Sequence, residues 1–244
     1  MHGAEQVERY AKANKTRLFN DPQRRNLHQE TPVPLQNRVT PDGAIIVTPH
    51  RGLLMGNRGG AFHLADRTLG RRRWATRQWI ACRLEFKGRQ RVAMMQPSRY
   101  TELFFLDEAT ALSAGHRPCF ECRRPDAQRF AQLWARTRAW PAPARAPEMD
   151  LVLHEERLGA RGQKITFRAQ LSALPDGAFI RLLEDAEERA YLVDGNRLLP
   201  WTAAGYGAGL ARPRRREVEV LTPRSIVAVL SSGYRPMLHP SAAV

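Results

Sequence analysis

Lysine is scarce in this chain, with 4 lysines against 35 arginines among 244 residues. Cysteine is rarer still, at three, too few for a disulfide framework; a metal or thiol site in a reducing compartment suits such usage better. Long hydrophobic runs are missing altogether: the longest fall far short of the roughly 20 apolar residues that a membrane span requires, and the first residues carry no apolar signal core. A soluble cytoplasmic protein with no membrane partner is therefore expected. No Gly-Lys-Ser/Thr follows the one glycine-rich loop, which excludes a P-loop, and no internal repeat is present. Acids are in short supply too, 24 against 39 lysines and arginines for a formal charge of +15.

The most informative stretch that is present runs from Leu103 to Cys122. Leu103-Phe104-Phe105 reads as a strand. Asp107 stands where it can cap a short helix through Ala109, Ala111, Leu112 and Ala114, and Gly115 supplies the left-handed residue that ends it. Arg117-Pro118 then turns the chain into Cys119-Phe120-Glu121-Cys122, whose two-residue gap lets both thiolates reach one ion.

This run, Phe-Phe followed by a helix and then Ala-Gly-His-Arg-Pro-Cys-x-x-Cys-Arg, resembles the second half of the metal-binding domain of the Ada family of methyl-phosphotriester DNA repair proteins, over about residues 103–124. In that family an aromatic residue stands at the place of His116, and an upstream Cys-x-x-x-Cys completes the site. Only Cys82 precedes Cys119 in this chain. The resemblance implies Zn²⁺ as cofactor and a DNA partner in preference to RNA, with Cys119 and Cys122 as ligands. Cys82 is either the third ligand or core filling, a frequent use of a lone cysteine among apolar neighbours. His63 and His116 are the candidates for a fourth ligand, His116 also fitting the packing place of the family's aromatic.

Positive charge points to a polyanionic partner, because cations that neutralise phosphates release counterions. An excess of arginine over lysine also arises from a genome rich in G and C, so distribution matters. Eleven basic residues and only two acids, Asp66 and Glu85, fall between Arg51 and Arg91. Arg51, Arg58, Arg71, Arg72, Arg73, Arg123 and Arg124 are the candidate phosphate contacts. The glycines between Arg51 and Gly60 either bring backbone amides to a phosphate or form a structural turn.

The expected fold is α+β in four segments: a basic and polar N-terminal arm (1–40), a mixed domain with the Ada-like zinc knuckle (41–140), a Pro/Ala linker (141–149) and a small β-rich, barrel-like domain (150–244). Residues 43–48 read as a buried strand. Ile80, Cys82, Leu84 and Phe86 alternate with Ala81, Arg83 and Glu85 as the apolar face of another, which Lys87-Gly88 turns back through Val92 and Met94. A helix with Pro125 in its first turn runs to about Arg138 on an apolar stripe of Ala127, Phe130, Ala131 and Trp134. In the last segment, short apolar runs separated by Pro175-Asp176-Gly177, Asp194-Gly195-Asn196 and Pro213 suggest a barrel or curled sheet, and Ser225 to Leu230 a closing helix. Arg212, Arg214, Arg215 and Arg216 beside Trp201 and Tyr206 suit base stacking next to a phosphate, or a solvated loop.

Function follows in three forms. The first is a zinc-containing nucleic-acid-binding protein of bacterial type linked to DNA repair or regulation. The second is an enzyme, such as a metal-dependent nuclease using Asp150, His154 and Glu155, since Asp150 and His154 would share one helical face; a protein-interaction module with no nucleic-acid role is a third class.

Overall fold

The computed structural model describes residues 34–88, 94–97, 99–184 and 187–243. Six strands, β1 (Gln36–Val39), β2 (Ile45–Val47), β3 (Leu54–Arg58), β4 (Trp79–Arg83), β5 (Leu103–Phe105) and β6 (Arg117–Pro118), form a first sheet in the order β2-β1-β5-β3-β4-β6. β1 runs parallel to β5 and β4 parallel to β6, and the other neighbours are antiparallel. Of the expected N-terminal arm, residues 36–39 thus belong to a sheet, and residues 1–33 lie outside the described residues.

β4 corrects the expected phase of its strand. Trp79 and Ala81 are the buried pair, while Ile80 and Cys82 lie half-buried on the opposite face. Ala81 sits opposite Gly56 of β3 and packs into one cluster with Leu103 and Phe105. A single methyl carries little hydrophobic signal in a sequence, yet a close strand contact has room for nothing larger. The expected return strand through Val92 falls mostly on residues 89–93, outside the described residues; β4 pairs with β3 and β6.

Helix α1 (Glu108–Ser113) is the hub. Asp107 caps it as expected, Oδ1 accepting from the Thr110 amide at 2.9 Å and hydroxyl at 2.8 Å, and Gly115 follows at φ +88°. Every residue of this six-residue helix is buried. Ala111 packs into the core of the first sheet, Ala109 against Phe179, Leu192 and Leu199 of a second sheet, and Leu112 among the larger helices. Alanines on two faces let both sheets approach the helix closely, and Leu112 on the third reaches the larger helices.

Those larger helices are α2 (Arg124–Arg136), α3 (Ala146–Arg157) and α4 (Arg224–Ser231). Phe130 and Trp134 of α2, Met149 and Leu153 of α3, and Ile226, Val229 and Leu230 of α4 form one cluster. Residues 34–244 accordingly make a single compact unit. The Pro/Ala run expected as a linker over 141–149 instead leads into α3: Ala144 is buried and bonded to the Ala131 carbonyl at 3.2 Å, and Pro147 lies in the helix's first turn, where its missing N–H costs nothing.

The second sheet contains β7 (Phe167–Gln170), β8 (Phe179–Glu184), β9 (Glu187–Asp194), β10 (Arg197–Thr202), β11 (Gly205–Tyr206), β12 (Leu210–Ala211) and β13 (Glu217–Val220). Its order is β11-β10-β9-β8-β13-β7, with β12 also on β10. β7 and β11 stand at opposite ends, so the sheet is open and the barrel expectation is corrected. The reason lies in its two buried faces: Ile180, Tyr191, Val193 and Val220 fill one cluster and Phe179, Leu192 and Leu199 another, whereas a small barrel encloses only its inner face.

Candidate metal centre and basic pocket

The parallel pairing of β4 with β6 sets Ile80 beside Arg117 and Ala81 beside Pro118, and the Cys119 amide donates to the Ala81 carbonyl at 3.0 Å. This register brings the end of β4 against the Cys119-x-x-Cys122 turn. Cys82, Cys119 and Cys122 converge, with all three sulfurs within 4.8 Å of one another, and the chemistry of the set is that of a soft-cation site. The Glu121 amide donates to Cys119 Sγ and the Arg83 amide to Cys122 Sγ, each at 3.4 Å. Donation from the Cys122 and Cys82 thiols and from the backbone amides of Cys122 and Glu121 holds the Cys119 thiol down at about 2. Cys82 and Cys122 are pushed up, because each serves chiefly as a donor within the trio. The three cysteines can hold a metal ion, and among the described residues no fourth His, Cys, Asp or Glu joins them.

The two candidate histidines lie elsewhere. His63 Nδ1 meets the Thr101 hydroxyl at 2.8 Å and its Nε2 the Gln96 carbonyl at 3.1 Å. His116 is fully buried between Trp79 and Phe105, at ring-centroid distances of 5.0 and 4.6 Å, so it fills an aromatic's place. Burial, then Arg58 and Arg157, hold its pKa well below the usual value, and the neutral ring accepts from Arg58 Nε at 3.4 Å.

Of the candidate phosphate contacts, Arg71, Arg72, Arg73 and Arg124 are exposed, as is Arg51, whose guanidinium lies 4.6 Å over the Phe104 ring. Two are not surface groups. Arg123 is 4% exposed and bound to Glu108 at 2.8 Å and Asp126 at 2.9 Å, so its charge is spent inside the protein. Arg58 is 2% exposed, donating to the Gly43 carbonyl at 2.8 Å and stacked 4.0 Å from the Trp79 ring centroid.

The acidic candidates do not assemble. Asp150 is buried in a two-pronged pair with Arg117, at 2.9 and 2.8 Å. His154 lies edge-on to Trp74 at 5.1 Å and accepts from Arg157 at 3.3 Å, while Glu155 is exposed. The aromatics of the second basic cluster are also occupied: Trp201 donates to Thr110 at 3.2 Å and Tyr206 to Asp107 at 2.7 Å.

One arrangement was not foreseen from the sequence. A cavity of about 730 Å³ has Arg58, Arg157, Lys164 and Trp79 among its walls and Arg71, Arg72, Arg73 and Arg161 around them; among the described residues these seven cations face one acid, Asp42. Arg157 is fully buried and also stacks on Trp79 at 4.0 Å. It donates to the carbonyls of Gly115 at 2.8 Å and Arg77 at 2.6 Å, while its Nε has no partner among the described residues. Neither Arg58 nor Arg157 is paired with a carboxylate among the described residues. Burial, then repulsion from Arg73 and Arg58 respectively, lowers each to about 9. Trp74 borders this cavity and a second of about 630 Å³ that reaches His154. Arg58 and the triplet were legible as charges, but Arg157 and Lys164 come from chain roughly a hundred residues away and gave no local signal.

No family model, no curated protein and no solved structure matches the chain. Among the described residues no helix is long and apolar enough to cross a membrane.

Proposed function

We propose that the protein binds nucleic acid, DNA in preference to RNA, through its basic cavity and the exposed arginines around it, with a zinc ion at Cys82, Cys119 and Cys122 as a structural clamp. The observation that carries this reading is the cavity with seven cations against a single acid among the described residues. Guanidinium forks match phosphate oxygens two at a time, and cations left without carboxylates keep their charge for a partner. Zinc suits the cysteines because a tetrahedron of Zn–S bonds of about 2.3 Å places sulfurs about 3.8 Å apart, and the three sulfurs here lie within 4.8 Å of one another. The ion would tie the end of β4 to the 119–122 turn and so hold Trp79, three residues earlier on the same strand, in the cavity wall. Working in the cytoplasm would keep the thiols reduced. The local likeness to the Ada metal-binding domain favours DNA. The enzyme reading is less favoured, because Asp150 is already neutralised by Arg117.

Binding of a mixed-sequence oligonucleotide, followed by fluorescence anisotropy across a salt series, tests the reading. Affinity falls with a log–log slope of about −0.7 to −0.9 per phosphate neutralised. Changing Arg71, Arg72 and Arg73 to Ala reduces that slope by about two to three units and weakens all sequences alike. A triple variant with the wild-type slope would remove these arginines from the interface.

A further inference from the structure

Exposed arginines would suffice to follow a phosphate backbone; a half-open cavity with buried arginines in its walls does something more selective. Arg58 and Arg157 are 2% and 0% exposed, each guanidinium lies 4.0 Å over the Trp79 ring, and neither is paired with a carboxylate among the described residues. Burying a charge without a counter-charge is costly unless something else supplies it. The Nε of Arg157 is a buried donor with no acceptor among the described residues, the kind of orphan that a bound anion satisfies. Lys164 adds a third cation, its Nζ 2.6 Å from the Ser113 carbonyl. A volume of about 730 Å³ is that of a small-molecule site rather than a groove, since such sites run from about 300 to 1,000 Å³. Trp74 stands between this cavity and the neighbouring one, with His154 edge-on behind it. A half-buried indole at the mouth of an anion site offers a face on which a base can stack.

We infer that this cavity is a recognition site for one 5′-phosphorylated nucleotide unit, its phosphate among Arg58, Arg157, Lys164 and Arg161 and its base against Trp74. The inference rests on the reading of this face as phosphate-binding and narrows it from a backbone to a terminal phosphate. Two sources share that chemistry, a free mononucleotide and the 5′ end of a strand.

The test uses the full chain with 5′-AMP, adenosine and inorganic phosphate by titration calorimetry, and a short single-stranded oligonucleotide with and without its 5′-phosphate by anisotropy. 5′-AMP binds more tightly than adenosine by about tenfold or more, the worth of a charge-assisted contact. Lys164→Met lowers 5′-AMP affinity by about tenfold, and its fold survives because the side chain is only half-buried and Met keeps its aliphatic stem. Arg161→Ala, at a solvated position, weakens 5′-AMP in the same direction, and Trp74→Ala weakens 5′-AMP but not inorganic phosphate. The exposed Arg216→Ala, in the other basic cluster, leaves 5′-AMP binding as it is. A 5′-phosphorylated oligonucleotide that outcompetes its 5′-hydroxyl form identifies the strand end as the source; 5′-AMP binding with no retention of either oligonucleotide supports the cavity and overturns the nucleic-acid reading. Adenosine binding as tightly as 5′-AMP, or Lys164→Met and Arg161→Ala both binding 5′-AMP like the wild type, overturns the inference. Oligonucleotide binding with a normal salt slope but no effect of the 5′-phosphate overturns it while leaving the broader reading standing.

Discussion

Glu108 sits 2% exposed at the start of α1; its carboxylate gathers three donors from other parts of the chain, and its own amide donates to a fourth group. Arg123 lies 2.8 Å away, the Tyr234 hydroxyl donates at 2.6 Å, the Met237 amide donates at 2.9 Å to the side chain, and another Met237 group, its carbonyl, receives the Glu108 amide at 3.0 Å. Glu108→Gln removes a buried charge while Arg123 keeps Asp126 at 2.9 Å, so it lowers unfolding free energy by about 1–3 kcal/mol, the worth of hydrogen bonds to a charged group, read from urea denaturation; no measurable loss would mean that Asp126 alone satisfies Arg123. Lys164 behaves in the opposite sense. Burial, with Arg58 and Arg157 adding repulsion against the attraction of Asp42, brings its pKa from 10.5 to about 7. The unfolded chain takes up this proton below 10.5 and the folded one only below about 7, so the penalty is complete below about 7 and is relieved as pH rises through that window. Stability contributed by this group therefore increases from about pH 7 towards 10.5, and Lys164→Met flattens the rise. Equal pH slopes for the wild type and the variant, measured by chemical denaturation, would show that the ammonium is solvated.

At the scale of elements, the β4–β6 pair and the 119–122 turn form one piece with the cysteines at one end and Trp79 at the other. With successive residues about 3.3 Å apart along a strand, Cys82 stands about 10 Å from Trp79. Elemental analysis of protein purified without chelator is expected to return one zinc per chain, and a strong chelator should lower the melting temperature by about 4–8 °C, corresponding to about 2 kcal/mol for a chain of this size. Cys119→Ser and Cys82→Ser should each reduce zinc content and stability. A Cys82→Ser protein with full zinc and unchanged melting would return Cys82 to the role of half-buried filler. The helices make a comparable point about α3. Its acids and histidine suggested a divalent site from spacing alone, but Asp150 faces Arg117 from another element, which spacing within a helix cannot disclose.

For the whole molecule, the cluster shared by α1, α2, α3 and α4 joins chain on both sides of residues 141–149. A core that crosses a boundary couples the two sides, so the described unit is expected to unfold in one cooperative transition with coincident fluorescence and far-ultraviolet dichroism curves. Two separated transitions would restore the two-domain organisation. The local features were legible because short-range chemistry writes them: the Asp107 cap and Gly115 stop of α1, Pro125 in the first turn of α2, the runs that became β7 to β10 and β13, and the Cys-x-x-Cys turn all depend on neighbours a few residues apart. Tertiary structure alone decided which face of β4 meets the core, that the second sheet stays open with both faces covered, that Arg58 and Arg123 go inside, and that Cys82 joins the other cysteines. It also placed Arg157 and Lys164 beside Arg58 and the arginine triplet. Burial and charge pairing are properties of what packs against a residue, and apart from the Asp126 contact of Arg123 the partners of these side chains come from chain that is distant in sequence.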